Sequence, residues 1–366
     1  MTLFLESVGR RRFVVVWVVL ASSCSDSTGP SREISADGAV TTFDADVADA
    51  QEPNVDSSSE DAAGDFCNGP PDLYIDADCS VLNPSILAYS PRFWLWSDGT
   101  GKERFISFPE GSQIDTREAD HWVFPVGTRI WKTFSYQGAR VETRYFEKTT
   151  SGTGVNHWDF RTYRWDGPSE ANEVPFGGEE NALGTPHDIP SLAQCVECHS
   201  EYGPRDMVLG FGAVQLNHDR SETTLQDLRD LGMLSHDIPT ELAAIPGMEH
   251  TQQALGYLHA NCGHCHSADE SAPEGLRLWV PVGLATEQQA PAYLTAIEVD
   301  SEWRTLVDGS IEANQRIVPR RPDISTLYLR TGIRGEDQMP PLGSEIVDAD
   351  GRTNLFLWIS GLETTQ

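Results

Sequence analysis

Basic residues are scarce in this chain of 366 residues, which has 26 Lys and Arg against 56 Asp and Glu and a formal net charge of −30. A surface of this sign repels phosphate groups, so the composition argues against nucleic acid as a partner. Apolar residues are not lacking, since 39% of the chain is hydrophobic and ten residues are Trp. That content is sufficient to bury a core, and the length predicts about two domains.

Long hydrophobic runs are also missing. The one marked run, residues 13–21 (FVVVWVVLA), is shorter than the roughly 20 residues that span a bilayer. It directly follows Arg10, Arg11 and Arg12, and a basic stretch before a short apolar one is typical of a secretory signal. We therefore expect residues 1–24 to be a signal peptide and the protein to be exported; a buried hydrophobic strand is the alternative.

The end of this segment resembles a bacterial lipobox, because Ala21, Ser22 and Ser23 precede Cys24. Lipobox sequences usually have Leu three residues before the cysteine, and Leu20 lies one position too early. Lipidation of Cys24 and simple cleavage near Ser23 both stay open. Lipidation of Cys24 would make the chain a periplasmic or outer-membrane lipoprotein, held at the membrane by its N-terminal lipid.

Large apolar residues are almost absent from residues 25–65, which contain eleven acidic residues and one basic residue, Arg32. Such a segment cannot bury enough surface to offset its chain entropy, and it is predicted to be a disordered acidic linker. Cys67 and Cys79 follow it closely. In an oxidising compartment they are expected to form a disulfide, the alternative being two free thiols.

A period-two alternation of aromatic and β-branched residues runs through residues 87–166, with turn signals between the segments. This pattern predicts an antiparallel β-sandwich or barrel, which we assign to a β domain of residues 66–190. After Pro190 the spacing becomes helical. The sequence there predicts a mainly α region with helices over residues 224–234, 251–260, 325–330 and 352–362.

Two CxxCH motifs lie in the second half, Cys195–His199 and Cys262–His266. The two thiols of such a motif add to the vinyl groups of one haem, and the following histidine binds the iron. The motifs therefore predict two covalent haem c groups, held by Cys195, Cys198, His199, Cys262, Cys265 and His266. A zinc site, a thioredoxin-like redox motif and ordinary disulfides are the alternatives.

Met339, in the segment Gln338–Gly343 (QMPPLG), is predicted to be the second axial ligand of the haem held by Cys262 and Cys265. A methionine that fills a gap in the core is the alternative. No such segment follows His199, so the first haem either has an open iron or takes a ligand from a set of isolated residues: His187, Met207, His218, Met233, His236 and Met248. His264 is expected to face solvent or a haem edge.

Three arginines are candidates to pair with haem propionates, because a guanidinium matches a carboxylate in geometry and charge. They are Arg320, Arg321 and Arg330. Solvated surface charge is the simpler interpretation of all three.

With these motifs in place, residues 248–366 resemble a class I cytochrome c domain, with a helix leading into CGHCH, the MPPLG segment and a closing helix that contains Trp358. More broadly, residues 90–366 resemble an uncharacterised family of exported bacterial diheme cytochromes with an N-terminal β domain. The matching segments include residues 95–99, 124–128, 141–144, 189–191, 209–211 and 215–217. The resemblance implies an α+β multidomain chain, with a first haem-binding segment at residues 191–247 and a cytochrome c domain at residues 248–366.

The function expected from the motifs and the resemblance is one-electron transfer between redox protein partners, with no catalytic residue required. Whether the chain is also an enzyme is open. An open first iron suits a peroxidase- or oxidase-like haem enzyme, and the β domain suits an electron-outlet subunit of a partner dehydrogenase.

Overall fold

The computed structural model describes residues 67–199, 206–267, 273–307 and 309–364. The predicted signal peptide, the predicted acidic linker and Cys24 lie outside the described residues. Within the described residues, no helix is long and apolar enough to cross a membrane. All the described residues belong to one compact unit, which begins at residue 60.

The first half of the described chain forms one antiparallel sheet whose six strands lie side by side in chain order. Strands form here because alternate residues are aromatic or β-branched and can pack on one face while their neighbours face the other way. The strands are β1 (Leu87–Ala88), β2 (Gly101–Ser107), β3 (Arg129–Tyr136), β4 (Ala139–Lys148), β5 (Trp158–Gly167) and β6 (Glu170–Glu173).

The two faces of this sheet pack against different parts of the chain. One, the disulfide face, carries Trp131, Tyr145 and Trp165 and packs against Leu73 and Cys79. The other, the motif face, carries residues such as Ile106 and Ile130 and packs against residues that follow the first CxxCH motif, including Met207, Phe211 and Leu216.

The predicted antiparallel strands and α+β class are confirmed, and the disulfide is present between Cys67 and Cys79. The predicted sandwich or barrel is replaced by a single open sheet. Non-strand segments cover the two faces, and period-two alternation indicates only that a face is covered, not whether a second sheet covers it.

Helices dominate after Pro190, as expected. Each predicted helix is found with ends shifted by a few residues. The helix predicted from Thr224 begins at Leu225, because Thr224 is its N-cap and forms a reciprocal pair of hydrogen bonds with Asp227. The helices are α1 (Leu192–His199), α2 (Ala213–Leu216), α3 (Leu225–Asp230), α4 (Glu249–Asn261), α5 (Pro291–Thr295), α6 (Thr326–Gly332) and α7 (Ala349–Gly361).

A short hairpin of β7 (Asp300–Val307) and β8 (Ile311–Gln315) interrupts this helical region and was not predicted. The core of the region lies between α4 and α7, where Leu255 and Leu258 share one apolar cluster with Leu355, Trp358 and Ile359. This packing fixes the end of α4, and the second CxxCH motif begins there.

Candidate functional site

The second motif starts where α4 ends. Cys262 caps the helix, and the amide of His266 donates to the carbonyl of Cys262 at 2.8 Å, which closes a tight turn around the motif. Gly263 lies inside this turn. A Cβ at residue 263 would stand 2.8 Å from the carbonyl oxygen of His259 and 3.0 Å from the Cα of Trp279, so the turn leaves no room for a side chain.

The ring of His266 is held by the main chain. Its Nδ1 donates to the carbonyl of Leu276 at 3.1 Å, since a carbonyl oxygen only accepts. This bond fixes the tautomer and leaves Nε2 as the nitrogen with a lone pair for a metal. Burial lowers the pKa of His266, which keeps the ring neutral as a metal ligand requires.

A cavity of about 350 Å³ adjoins this motif and is mostly apolar. Cys262, Cys265 and His266 line it together with Met339, so the structure brings the predicted axial methionine to the same cavity as the motif. Further apolar contacts come from Leu276, Leu278, Leu327, Pro340 and Pro341.

Hydrogen bonds hold the segment that carries Met339. The amide of Met339 donates to the carbonyl of Arg330 at 3.1 Å, and the side chain of Gln338 donates to the carbonyls of Pro340 and Ser344. The segment is thus anchored to α6 and to itself.

The first motif lies on α1 and shows the same arrangement at its histidine. Nδ1 of His199 donates to the carbonyl of Met207 at 2.7 Å, which again leaves Nε2 for a metal. The ring of Phe146 on β4 meets the imidazole edge to face at 5.4 Å. Burial lowers the pKa of His199 to about 3, and the positive charges of Lys132 and Arg144 act in the same direction.

The two motifs meet. One ligand atom from each of Cys198, His264 and Cys265 lies within 4.8 Å of the other two. His264, expected at solvent or a haem edge, is 7% exposed and belongs to this cluster. Two effects raise the pKa of the Cys198 thiol to about 12: mainly a hydrogen bond with Cys265, and also burial. The Cys198 thiol is therefore protonated at neutral pH.

Most of the isolated candidates for a second ligand at the first motif are engaged elsewhere or face solvent. Nε2 of His187 bonds to Glu142 at 2.7 Å, and Nε2 of His218 donates to the carbonyl of Ser90 at 2.6 Å. Met248 is 67% exposed. Met207 is buried and adjoins His199 through its carbonyl oxygen. His236 bonds to Ser235, and Met233 is partly buried at the core.

Of the three arginines that were candidates to pair with haem propionates, only Arg330 lines the cavity at the second motif. Arg321 pairs with Asp323 at the surface, and Arg320 is exposed. Sequence reasoning missed Arg316, which lines the same cavity, is 8% exposed and donates to the carbonyls of Thr295 and Glu274. Its Nε has no hydrogen-bond partner among the described residues, which makes it a donor available to a ligand in the cavity.

The donor set at the second motif fits a haem c group: two thiols, a neutral imidazole with Nε2 available, a thioether and a mostly apolar cavity. At the first motif the described residues supply the two thiols and the imidazole. The Cys198, His264 and Cys265 cluster offers three of the four ligands that a closed structural zinc site needs.

No family model, no curated protein and no solved structure matches this chain. The resemblance to exported diheme cytochromes therefore stays a prediction.

Proposed function

We propose that this protein is an exported diheme c-type cytochrome that transfers single electrons between redox protein partners. The observation that carries the proposal is the state of the two motif histidines. Each donates Nδ1–H to a main-chain carbonyl and is left with a neutral Nε2, beside two thiols at the spacing that haem attachment needs.

At the second motif, Cys262 and Cys265 are the residues that would hold the group covalently, and His266 and Met339 are the residues that would bind the iron. When bound, haem supplies one-electron exchange at iron, which no side chain of this site supplies. The apolar walls restrict water, and a thioether ligand raises the reduction potential relative to a second imidazole.

Residues 248–366 would then form the cytochrome c-like part of the chain. This finer assignment is supported by the packing of α4, which leads into the motif, against the closing helix α7 through Leu255, Leu258 and Trp358. The hydrogen bonds that anchor Met339 to α6 support it further, because an axial ligand must be held in place.

The position of the first motif supports transfer between two centres. Cys198 of the first motif and Cys265 of the second lie in one cluster, so the chain would attach both groups at adjacent points. Donor and acceptor proteins would have to approach this acidic protein, which favours partners with a basic docking surface.

The test is the intact mass of the purified mature chain after removal of non-covalent haem. We expect two haem additions on the wild type, and one each on the pairs Cys195→Ser/Cys198→Ser and Cys262→Ser/Cys265→Ser. A wild-type chain exported by cells with a working haem-attachment system that carries no haem would refute the proposal.

A metal site is the second candidate function, favoured by the cluster of Cys198, His264 and Cys265. Binding zinc here must release the thiol protons, because a zinc ligand is a thiolate. Metal analysis of the purified chain separates the two. Zinc near one equivalent, lost in His264→Ala, would support the metal site; two haems with no zinc would exclude it.

A further inference from the structure

The motif face of the sheet carries three cations in register. Arg104 on β2 lies directly opposite Lys132 on β3, and Lys132 lies directly opposite Arg144 on β4. Like charges directly opposite each other on neighbouring strands destabilise a sheet. Negative charge placed beside such a row stabilises it, and without that charge burial and the neighbouring Arg104 and Arg144 lower the pKa of Lys132.

The compensation within the described residues is incomplete. Arg144 pairs with Glu142 at 2.6 Å, and Glu142 also bonds to His187. The ring of Phe134 faces Lys132 at 4.7 Å and Arg144 at 4.4 Å. No ion pair in the described part of the chain joins Arg104, which is 6% exposed, or the partly buried Lys132 to a carboxylate.

Arg104 and Lys132 line a cavity of about 90 Å³ between the motif face and residues 206–215, the segment that follows the first motif. That volume is several times what one water molecule needs, so a carboxylate or another small anion fits. His264 of the second motif lies on the same wall.

Two carboxylates also line the cavity, and each is hydrogen-bonded to donors other than Arg104 and Lys132. Asp206 pairs with Lys148 and accepts from the indole of Trp158 at 2.6 Å. Asp120 accepts from the amide of Val282 at 2.9 Å. Among the described residues neither carboxylate forms an ion pair with Arg104 or Lys132, so both basic side chains are available to a ligand.

We propose that Arg104 and Lys132 bind a carboxylate or a similar small anion in this cavity. A guanidinium and an ammonium on neighbouring strands present several N–H donors to one anion, and the anion removes the repulsion along the row. The ligand group has two sources: a propionate of the haem attached to the first motif, or a free small anion. The first source rests on the proposed function, and the second does not.

The experiment uses the purified mature protein with its haem and compares Arg104→Gln, Lys132→Met and the double variant with the wild type. The control is Arg161→Gln, because Arg161 lies on the same sheet but faces away from the cavity and pairs with Asp159 near the surface. Lys132→Arg, which keeps the charge, separates loss of charge from misfolding. The readouts are haem additions by mass, the reduction potential of each haem, and Tm in acetate and in phosphate at fixed ionic strength.

If a propionate is the ligand group, the double variant keeps two haems and the potential of one haem falls. The fall follows because positive charge near a haem favours its reduced form. Lys132→Arg and Arg161→Gln keep both potentials, and added acetate or phosphate leaves the wild-type Tm unchanged.

If a free anion is the ligand, acetate or phosphate raises the wild-type Tm in a saturable manner, and the double variant loses this response. Unchanged potentials together with no anion response in the wild type would overturn the inference. A chain without haem would instead refute the proposed function, and the anion titration would still decide this inference.

Discussion

Met339 is the residue on which the assignment of the second centre depends most. It lines the cavity that Cys262, Cys265 and His266 also line. In Met339→Ala we expect the haem count to stay at two and the potential of one haem to fall, because the thioether that favours the reduced iron is gone. The absorption band of methionine-bound ferric haem should disappear with it.

Met248→Ala is the matched control, because Met248 is 67% exposed and outside the cavity. It should keep the band and both potentials. A Met339→Ala protein that also keeps them would show that Met339 only packs.

The buried ion pair of Lys148 and Asp206 ties the segment after the first motif to the sheet. The side chains are 1% and 0% exposed, and the indole of Trp158 donates to the same carboxylate. Lys148→Met should lower the free energy of unfolding by about 3–5 kcal/mol, because it leaves a buried carboxylate without its cation.

Chemical denaturation measures this loss. Arg117→Met removes the cation of an exposed pair with Asp115 and should leave stability nearly unchanged, since water screens that pair. Equal effects of the two substitutions would contradict the role given to Lys148.

For single residues, the sequence predicted which side chains form the site but not which atoms hold those side chains in place. The carbonyls that accept from the two histidines belong to Met207 and Leu276. Every residue has a main-chain carbonyl, so the residue type does not show which one will serve as the acceptor. Arg316 was missed because its place in the cavity depends on bonds to Thr295 and Glu274, which are distant along the chain.

Among the structural elements, the turn after α4 tolerates an added side chain least. A side chain at residue 263 would meet the carbonyl of His259 at 2.8 Å. Gly263→Ala should therefore destabilise the protein by about 1–3 kcal/mol, as added atoms in a tightly packed place do, and should shift the potential of the second haem.

Thermal unfolding followed by absorbance tests this. Gly177→Ala is the control, because a Cβ at residue 177 has no neighbour within 4 Å and its backbone is not in the left-handed region. A Gly263→Ala protein as stable as the control would mean that the turn adjusts at no cost.

The strands and helices were predicted because hydrophobic period depends on local sequence. The hairpin of β7 and β8 was not predicted, because most of its residues are exposed or half-buried and its alternation of apolar and polar residues is therefore weak. What covers each face of the sheet is decided by segments far away along the chain, such as the one containing Leu73.

In the whole molecule, hydrogen bonds join the end of α4, just before the second motif, to the segment between β1 and β2. The side chain of Asn261, 1% exposed at the end of α4, accepts from the amide of Trp96 at 2.7 Å and donates to the carbonyl of Trp94 at 3.1 Å. Local patterns cannot predict such contacts, because they join residues more than 160 positions apart.

The predicted lipid anchor at Cys24 also concerns the whole molecule. If Cys24 is lipidated, Cys24→Ser should move the exported protein from the membrane fraction to the soluble fraction, because an acyl anchor is then absent. Immunoblots of the two fractions measure this. A wild type that is already soluble, or a variant that stays with membranes, would refute lipidation of Cys24 and leave export as a separate prediction.

The proposed function requires two centres in the chain that each exchange one electron. A reductive titration of the purified mature protein, followed by its absorbance, tests it most directly. We expect c-type haem spectra and an uptake of two electrons per chain, in two steps because Met339 is available at the second motif and no methionine is assigned as a ligand at the first. A protein that takes up no electrons under these conditions would contradict it.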